Sequence, residues 1–186
     1  MGVGRGGPLG TEGSETFAEF VALRSAALQR VAYLVAGDVD RAQDLVHEAL
    51  VRTSMAWPRM RDPRRAESYA LKVIATTAID GSRPRRRRVG RTAPVPPPVP
   101  AAADGVATPE DSAEVDERTW LWLCLLRLPV RQRAAIVLRY YEELTERETA
   151  ETMGCSIGTA RNEATAGLAV LRPLVGEGLL PQEAHR

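Results

Sequence analysis

The chain has 186 residues, a formal net charge of +1 and two cysteines. It is long enough for one domain or two small ones, and its overall charge says nothing about nucleic acid. Cys124 and Cys155 are far apart without ligand spacing, which argues against a disulfide scaffold and fits a reducing, cytoplasmic compartment. No run approaches the ~20 apolar residues of a membrane span. The start, MGVGRGGPLGTEG, lacks the apolar core of a signal peptide and reads as a flexible tail over residues 1–13. Lys72 is the only lysine among 25 basic residues, so nearly all positive charge is arginine. Arginine suits bidentate contacts to phosphate, guanine or carboxylate.

Taken in order, residues 14–85 read as three helices. Phe17, Phe20, Val21, Leu28, Val31, Ala32 and Val35 recur at three- and four-residue steps from Glu15, and Gly37 closes that helix. Asp38 or Asp40 can cap a second helix running to about Trp57. Val39, Ala42, Leu45, Val46, Ala49 and Leu50 form its inner face, while Asp40, Gln43, Asp44, His47 and Glu48 form a polar, net acidic outer face. Pro58 ends it. Asp62-Pro63 offers a cap followed by proline at the first helical position, opening a third helix over about 64–82. Ala70, Val73, Ile74, Thr77 and Ala78 make its inner stripe; Tyr69, Lys72, Thr76 and Asp80 face outward. Three such helices with short connections make a compact bundle.

The character then changes. RPRRRRVGR, residues 83–91, holds six arginines and no acid, and like charges this dense resist folding. The run is either a solubilising linker or a strip that lies against phosphates. A Pro- and Ala-rich stretch follows, so residues 86–113 read as a disordered Arg/Pro-rich spacer.

Order returns over residues 114–174. Trp120, Leu121, Leu123, Cys124, Leu126 and Leu128 are too apolar for a solvated helix, and Pro129 can start another. Ala134, Ile136, Val137, Leu138, Tyr140 and Tyr141 continue the core. In LTERETAETMGCSIGTARNEATAGLAVLR, residues 144–172, Thr145 and Glu148 form a capping box and Gly154 ends the short helix. Ser156 caps the next, whose apolar stripe is Ile157, Ala160, Ala164, Leu168 and Leu171. Two short helices joined through a Gly-containing turn are the helix-turn-helix pattern, whose second helix can enter a major groove. An ordinary helical hairpin has the same pattern. Residues 175–186 read as a short tail. The fold class is therefore all-α: two small helical domains joined by a linker.

The segment GDVDRAQDLVHEAL, residues 37–50, resembles the "GD…A-E-D-L-V-Q-E" helix of the extracytoplasmic-function sigma factors of the sigma-70 family. Residues 128–172 resemble that family's carboxy-terminal promoter-binding domain through L-P, R-A, L-R-Y-Y-E-x-L-T, E-x-A and M-G-C-S-x-G-T. The details resemble the actinobacterial sigma-E-like subgroup most. The resemblance implies region 2 at 14–85 and region 4 at 114–174, with core RNA polymerase and double-stranded promoter DNA as partners and an anti-sigma factor as a further one.

Residue by residue, the resemblance assigns Gln43, Asp44, His47 and Glu48 to polymerase binding. It assigns Tyr69, Lys72, Thr76, Asp80, Arg83 and Arg85 to the −10 element, with Thr76 where the family usually has Asn. Ser156, Thr159, Arg161, Asn162, Glu163 and Arg172 fall to the −35 element, with Arg139 and Arg147 as further phosphate contacts. Early residues of a recognition helix reach base edges, Arg pairing with guanine and Asn with adenine. Glu163 stands where the family prefers a neutral or basic residue and Ala166 where it commonly has Arg, which implies an atypical −35 sequence or weak intrinsic DNA affinity. Such a protein is a specificity factor, not an enzyme, and needs no cofactor or metal. A stand-alone helix-turn-helix regulator and a degenerate sigma that binds an anti-sigma factor are the other readings.

Overall fold

The structure, a computed structural model, describes residues 16–60, 63–82 and 120–175. Among them there are helices and no strand. The N-terminal domain is α1 (Phe17–Ala36), α2 (Val39–Ala56), a 3₁₀ turn (Trp57–Arg59) and α3 (Pro63–Gly81). The C-terminal domain is α4 (120–126), α5 (Val130–Ile136) continuing into a π-turn (Val137–Tyr141), α6 (Glu146–Met153) and α7 (Ile157–Val175). The expected tails, the linker and the Asp62 cap lie outside the described residues.

Local chemistry accounts for the helix ends. Thr16 and Glu19 close a capping box on α1, the Thr16 N–H donating to the Glu19 carboxylate at 2.7 Å. Asp38, not Asp40, caps α2 by accepting from the Arg41 N–H at 2.9 Å. Gly37 ends α1 at φ 75°, donating to the Tyr33 carbonyl at 2.7 Å. This left-handed conformation costs a side-chain-bearing residue ~1–2 kcal/mol.

In the N-terminal bundle Phe20, Leu28, Val31, Val35, Leu45, Ala49 and Ile74 are buried. Phe17 and Phe20 each bring their rings to 5.4 Å from Trp57, so the 3₁₀ turn lies over the start of α1. The C-terminal domain has a smaller core of Cys124, Leu125, Leu128, Ile136, Leu168, Leu171 and Val175.

Several residues expected inside are outside. Val39, in the first turn of α2, is exposed. On α4 the run of apolar residues hides the register. Trp122, Leu125 and Leu128, at three-residue steps, are buried together with Cys124, whereas Trp120, Leu121 and Leu123 face solvent. Tyr141 and Ile157 are also exposed, because each lies on the outer side of the turn that begins or ends its helix.

The two domains pack against one another. Ala134, Val137, Leu138, Ala150 and Met153 join the same apolar cluster as Val35 and Ile74. Tyr33 of α1 stacks on Trp122 of α4, rings 5.3 Å apart and 8° from parallel. Arg133 of α5 is buried and donates through Nε to the Val35 carbonyl (2.8 Å) and through Nη2 to the Ala36 carbonyl (3.0 Å). It thereby satisfies orphan carbonyls at the C-terminus of α1 and sets a positive charge at the negative end of the helix dipole. Burial lowers its pKa from the usual guanidinium value, yet arginine remains charged.

Candidate functional site

The helix-turn-helix forms as its sequence directs. The Thr145 N–H donates to Glu148 Oε2 (2.8 Å) and the Glu148 N–H to Thr145 Oγ1 (3.3 Å), closing the expected capping box. The Thr145 hydroxyl, donating to Glu148 Oε2 at 2.6 Å, and then the Thr145 N–H hold the Glu148 carboxyl below its usual range. Gly154 takes φ 65° and the Cys155 N–H reaches the Ala150 carbonyl at 2.9 Å, which turns the chain from α6 into α7. Ser156 Oγ accepts from the Thr159 N–H at 3.2 Å and lies 2.8 Å from Thr159 Oγ1. Ala160, Ala164, Leu168 and Leu171 seat α7 on the core.

That seating leaves Ser156, Arg161 and Asn162 exposed on the first turns of α7, with Thr159 half-buried beside them. Arg161 is held by a neighbour. Its Nε lies 3.1 and 3.2 Å from the two Glu146 carboxylate oxygens, and its Nη2 lies 2.6 Å from Oε2. This fork lowers the Glu146 pKa and raises that of Arg161, in both cases chiefly through the hydrogen bonds. Glu163 is half-buried and turns toward Arg131 of α5, Oε1 to Nε 3.4 Å. The carboxylate that looked unfavourable beside DNA thus has a cation of its own. Arg172 stands exposed near the far end of α7, well along the helix from the first turns.

The expected phosphate contact Arg139 faces inward. Its Nη1 donates to the Leu144 carbonyl at 2.8 Å, and its guanidinium lies 5.9 Å from the centre of the Tyr140 ring. Arg147 is exposed. The Glu146 and Glu163 pairings link residues 15 and 32 positions apart, and no local pattern announces them.

On α2, Gln43, Asp44 and His47 are exposed and Glu48 is half-exposed on one face. Glu48 pairs with Arg52 at 2.7 Å, one turn on. Val51 and Met55 continue this face at three- and four-residue steps beyond Glu48 and are 43% and 76% exposed. These apolar side chains therefore stand open to solvent beside a charged strip, which composition alone does not flag. Leu23 of α1, 71% exposed, is a third such residue.

On α3, Lys72 and Asp80 are exposed, while Tyr69 and Thr76 are half-buried rather than outward. Thr76 Oγ1 donates to the Lys72 carbonyl at 2.7 Å. Its methyl lies 3.5 Å from where a β-carbon on Gly154 would stand. The docked C-terminal domain is what covers it. Arg83 and Arg85 lie outside the described residues. No group of three or more His, Cys, Asp or Glu among the described residues could hold a metal ion, and no described helix is long and apolar enough to cross a membrane.

Comparison with known proteins follows this division. Residues 21–88 match the family model described as Sigma-70 region 2, and residues 118–171 match Sigma-70, region 4. The chain is 34% identical over 157 residues to the RNA polymerase sigma-E factor of Streptomyces avermitilis, covering 84% of this chain and 83% of that one. It is 33% identical to the RNA polymerase sigma-E factor of Streptomyces coelicolor, covering 84% of both. Among solved structures it resembles the sigma factor RpoE in complex with the anti-sigma factor NepR from Bartonella quintana, with TM-score 0.64, 20% identity and coverage of 86% and 96%. It also resembles the extracytoplasmic-function sigma factor SigJ of Mycobacterium tuberculosis, with TM-score 0.57, 28% identity and coverage of 84% and 53%.

Proposed function

Because the chain belongs to the sigma-70 family of RNA polymerase sigma factors, in its extracytoplasmic-function group, we propose that it binds core polymerase through the outer face of α2 and places α3 and α7 on promoter DNA. The observation that carries this reading is the capped helix-turn-helix. It presents Ser156, Arg161 and Asn162 on the first turns of a helix seated by its opposite face. Early recognition-helix residues meet base edges, and the helix N-terminus and hydroxyls meet phosphate.

Gln43, Asp44, His47 and Glu48 supply the polar part of the polymerase contact, and Val51 and Met55 its apolar end. Asp44 and Glu48 lie one helical turn apart, so they can meet two basic residues of a partner helix together. Tyr69, Lys72, Thr76 and Asp80 supply the −10 contact, with Arg83 and Arg85, which lie outside the described residues. Ser156, Thr159, Arg161, Asn162 and Arg172 supply the −35 contact, and Glu163 orders Arg131 beside it. Promoter choice is a binding function: polymerase makes RNA, and this chain, acting in the cytoplasm without a catalytic site of its own, determines where. By analogy with the Bartonella complex, an anti-sigma factor is a further partner.

This reading requires the domains to part. Elements 25 base pairs apart are separated by about 85 Å of B-form DNA. Thr76 and Gly154, beside the two reading surfaces, stand so close that a β-carbon on Gly154 would lie 3.5 Å from the Thr76 methyl. One molecule cannot read both elements in that arrangement. Polymerase binding that separates the domains would couple core engagement to promoter reading.

The test is run-off transcription with purified core polymerase on genomic fragments. Defined start sites that need the protein are expected, and an Asp44→Arg/Met55→Asp variant should lose them together with polymerase binding. No polymerase complex and no specific start would overturn the sigma reading.

A further inference from the structure

The Glu146–Arg161 fork joins the first helix of the helix-turn-helix to its recognition helix. We propose that Glu146 is a specificity-positioning residue: it fixes which edge of the Arg161 guanidinium meets DNA, and so confines Arg161 to reading a guanine. The inference rests on the proposed −35 role of α7 and goes beyond it, because no sequence pattern assigns Glu146 any part in recognition.

A guanidinium has five N–H donors in a rigid plane. Nε and one N–H of Nη2 are committed to the Glu146 carboxylate, at 3.1 and 2.6 Å. The edge left open is the pair Nη1 and Nη2, which presents two parallel N–H groups. Two parallel donors match the O6 and N7 acceptors of guanine. The support for that edge is itself held. Glu146 stands in the first turn of α6, between the Thr145 and Glu148 of the capping box. Arg161 stands in the second turn of α7, behind the Ser156 cap. The fork thus ties the Arg161 side chain, itself 63% exposed, to a carboxylate on a capped helix start, which lowers the ordering cost of binding DNA.

The pairing also changes what kind of contact Arg161 makes. A free arginine near DNA is drawn to any phosphate, and each such contact adds about 0.9 to the salt slope without regard to sequence. A carboxylate at 2.6 Å offsets that attraction and leaves the directional part, the open pair of donors. Glu163, on the recognition helix itself and paired with Arg131, is a second carboxylate there. The recognition helix thus has low net charge and depends on geometry for discrimination.

The experiment uses the full chain assembled with core polymerase. A preferred promoter fragment is first selected from genomic DNA, and all four base pairs are then placed in turn at each −35 position. Binding is measured at two salt concentrations for wild type, Arg161→Ala, Glu146→Ala and Glu146→Gln. Arg161→Ala should flatten the preference at one guanine. Glu146→Ala should reduce discrimination at that same base pair by about tenfold, while tightening binding to the other sequences and steepening the salt dependence by about one counterion. Glu146→Gln, which keeps an acceptor, should lie between. If Glu146→Ala shifts every sequence by the same factor with the guanine preference intact, Glu146 is only a surface charge and the proposal fails. If Arg161→Ala lowers the salt slope without affecting any single position, Arg161 is a phosphate contact and the proposal fails as well. Failure of the wild-type complex to select any DNA would overturn the −35 reading itself. That result is distinct from both of the others.

Discussion

Arg133 donates to the carbonyl of Val35, 98 residues earlier in the chain, at 2.8 Å across the boundary between the two domains. It is the one buried charged side chain described, and its second donor meets Ala36 at 3.0 Å. A hydrogen bond from a charged group contributes ~1.5–3 kcal/mol, and taking the guanidinium out of water offsets part of that. Replacing the group by Met keeps the apolar stem and leaves two carbonyls without their donor. Arg133→Met should destabilise the closed arrangement by ~2–3 kcal/mol. Small-angle scattering of the free protein should show a larger radius of gyration, while far-ultraviolet circular dichroism stays helical. An unchanged radius would mean that the apolar contacts close the domains without it.

Gly37 and Gly154 form a natural comparison. Both take positive φ, 75° and 65°, so alanine carries a backbone cost at either position. Their surroundings differ. A β-carbon on Gly37 would overlap Leu126 and press on Arg133, both in the other domain, whereas one on Gly154 would make ordinary contact with the Thr76 methyl. Gly154→Ala should therefore cost ~1–2 kcal/mol. Gly37→Ala should cost clearly more in urea denaturation and should also loosen the domain contact.

Trp122 stacks on Tyr33 but its buried Nε1–H has no hydrogen-bond partner. Trp122→Ala removes the stacking and opens a cavity, and should cost ~3–5 kcal/mol. Trp122→Phe keeps an aromatic ring and removes the unsatisfied donor, so its cost should be much smaller. Thermal melts of the two variants check the ranking. Similar losses for both would mean that the indole volume, not the aromatic stacking, is what matters.

Glu142, at the end of the π-turn, has its pKa raised by burial and then by Glu67, with Arg30 and Arg24 pulling it the other way. A carboxyl whose folded-state pKa is raised holds its proton more tightly when folded. Its contribution to stability is thus greatest at acid pH and falls as pH rises through the window above the ordinary glutamate value. Glu142→Gln should leave stability near pH 4 unchanged and raise the melting temperature at pH 7.5 relative to wild type. Because Glu67, Arg24 and Arg30 belong to the N-terminal domain, the variant should also hold the domains closed more firmly at neutral pH. An equal shift at both pH values would rule out titration as the cause.

Much of this protein is set locally. The capping box of Thr145 and Glu148, the turn at Gly154 and the Ser156 cap depend on side chains within three residues of the groups they serve. The periodicity of α1, α2, α3 and α7 follows from the apolar spacing that each helix must turn inward. Short range is also why the exposed face of α2 could be drawn from spacing alone, although Val51 and Met55 extend it.

Other features depend on which surfaces meet, and spacing along the chain does not encode that. The apolar run of α4 does not say that Trp122 goes in while Trp120 and Leu123 stay out. The resemblance turns Arg139 and Glu163 toward DNA and the spacing gives no role to Arg133, yet the fold brings each to a partner: the Leu144 carbonyl, Arg131 and the Val35 carbonyl. The helix-turn-helix was legible because its hydrogen bonds are local. The direction in which Arg161 points, and the closure that covers Thr76, were decided by contacts between residues far apart in the chain, where only the tertiary structure determines which charges and carbonyls become neighbours.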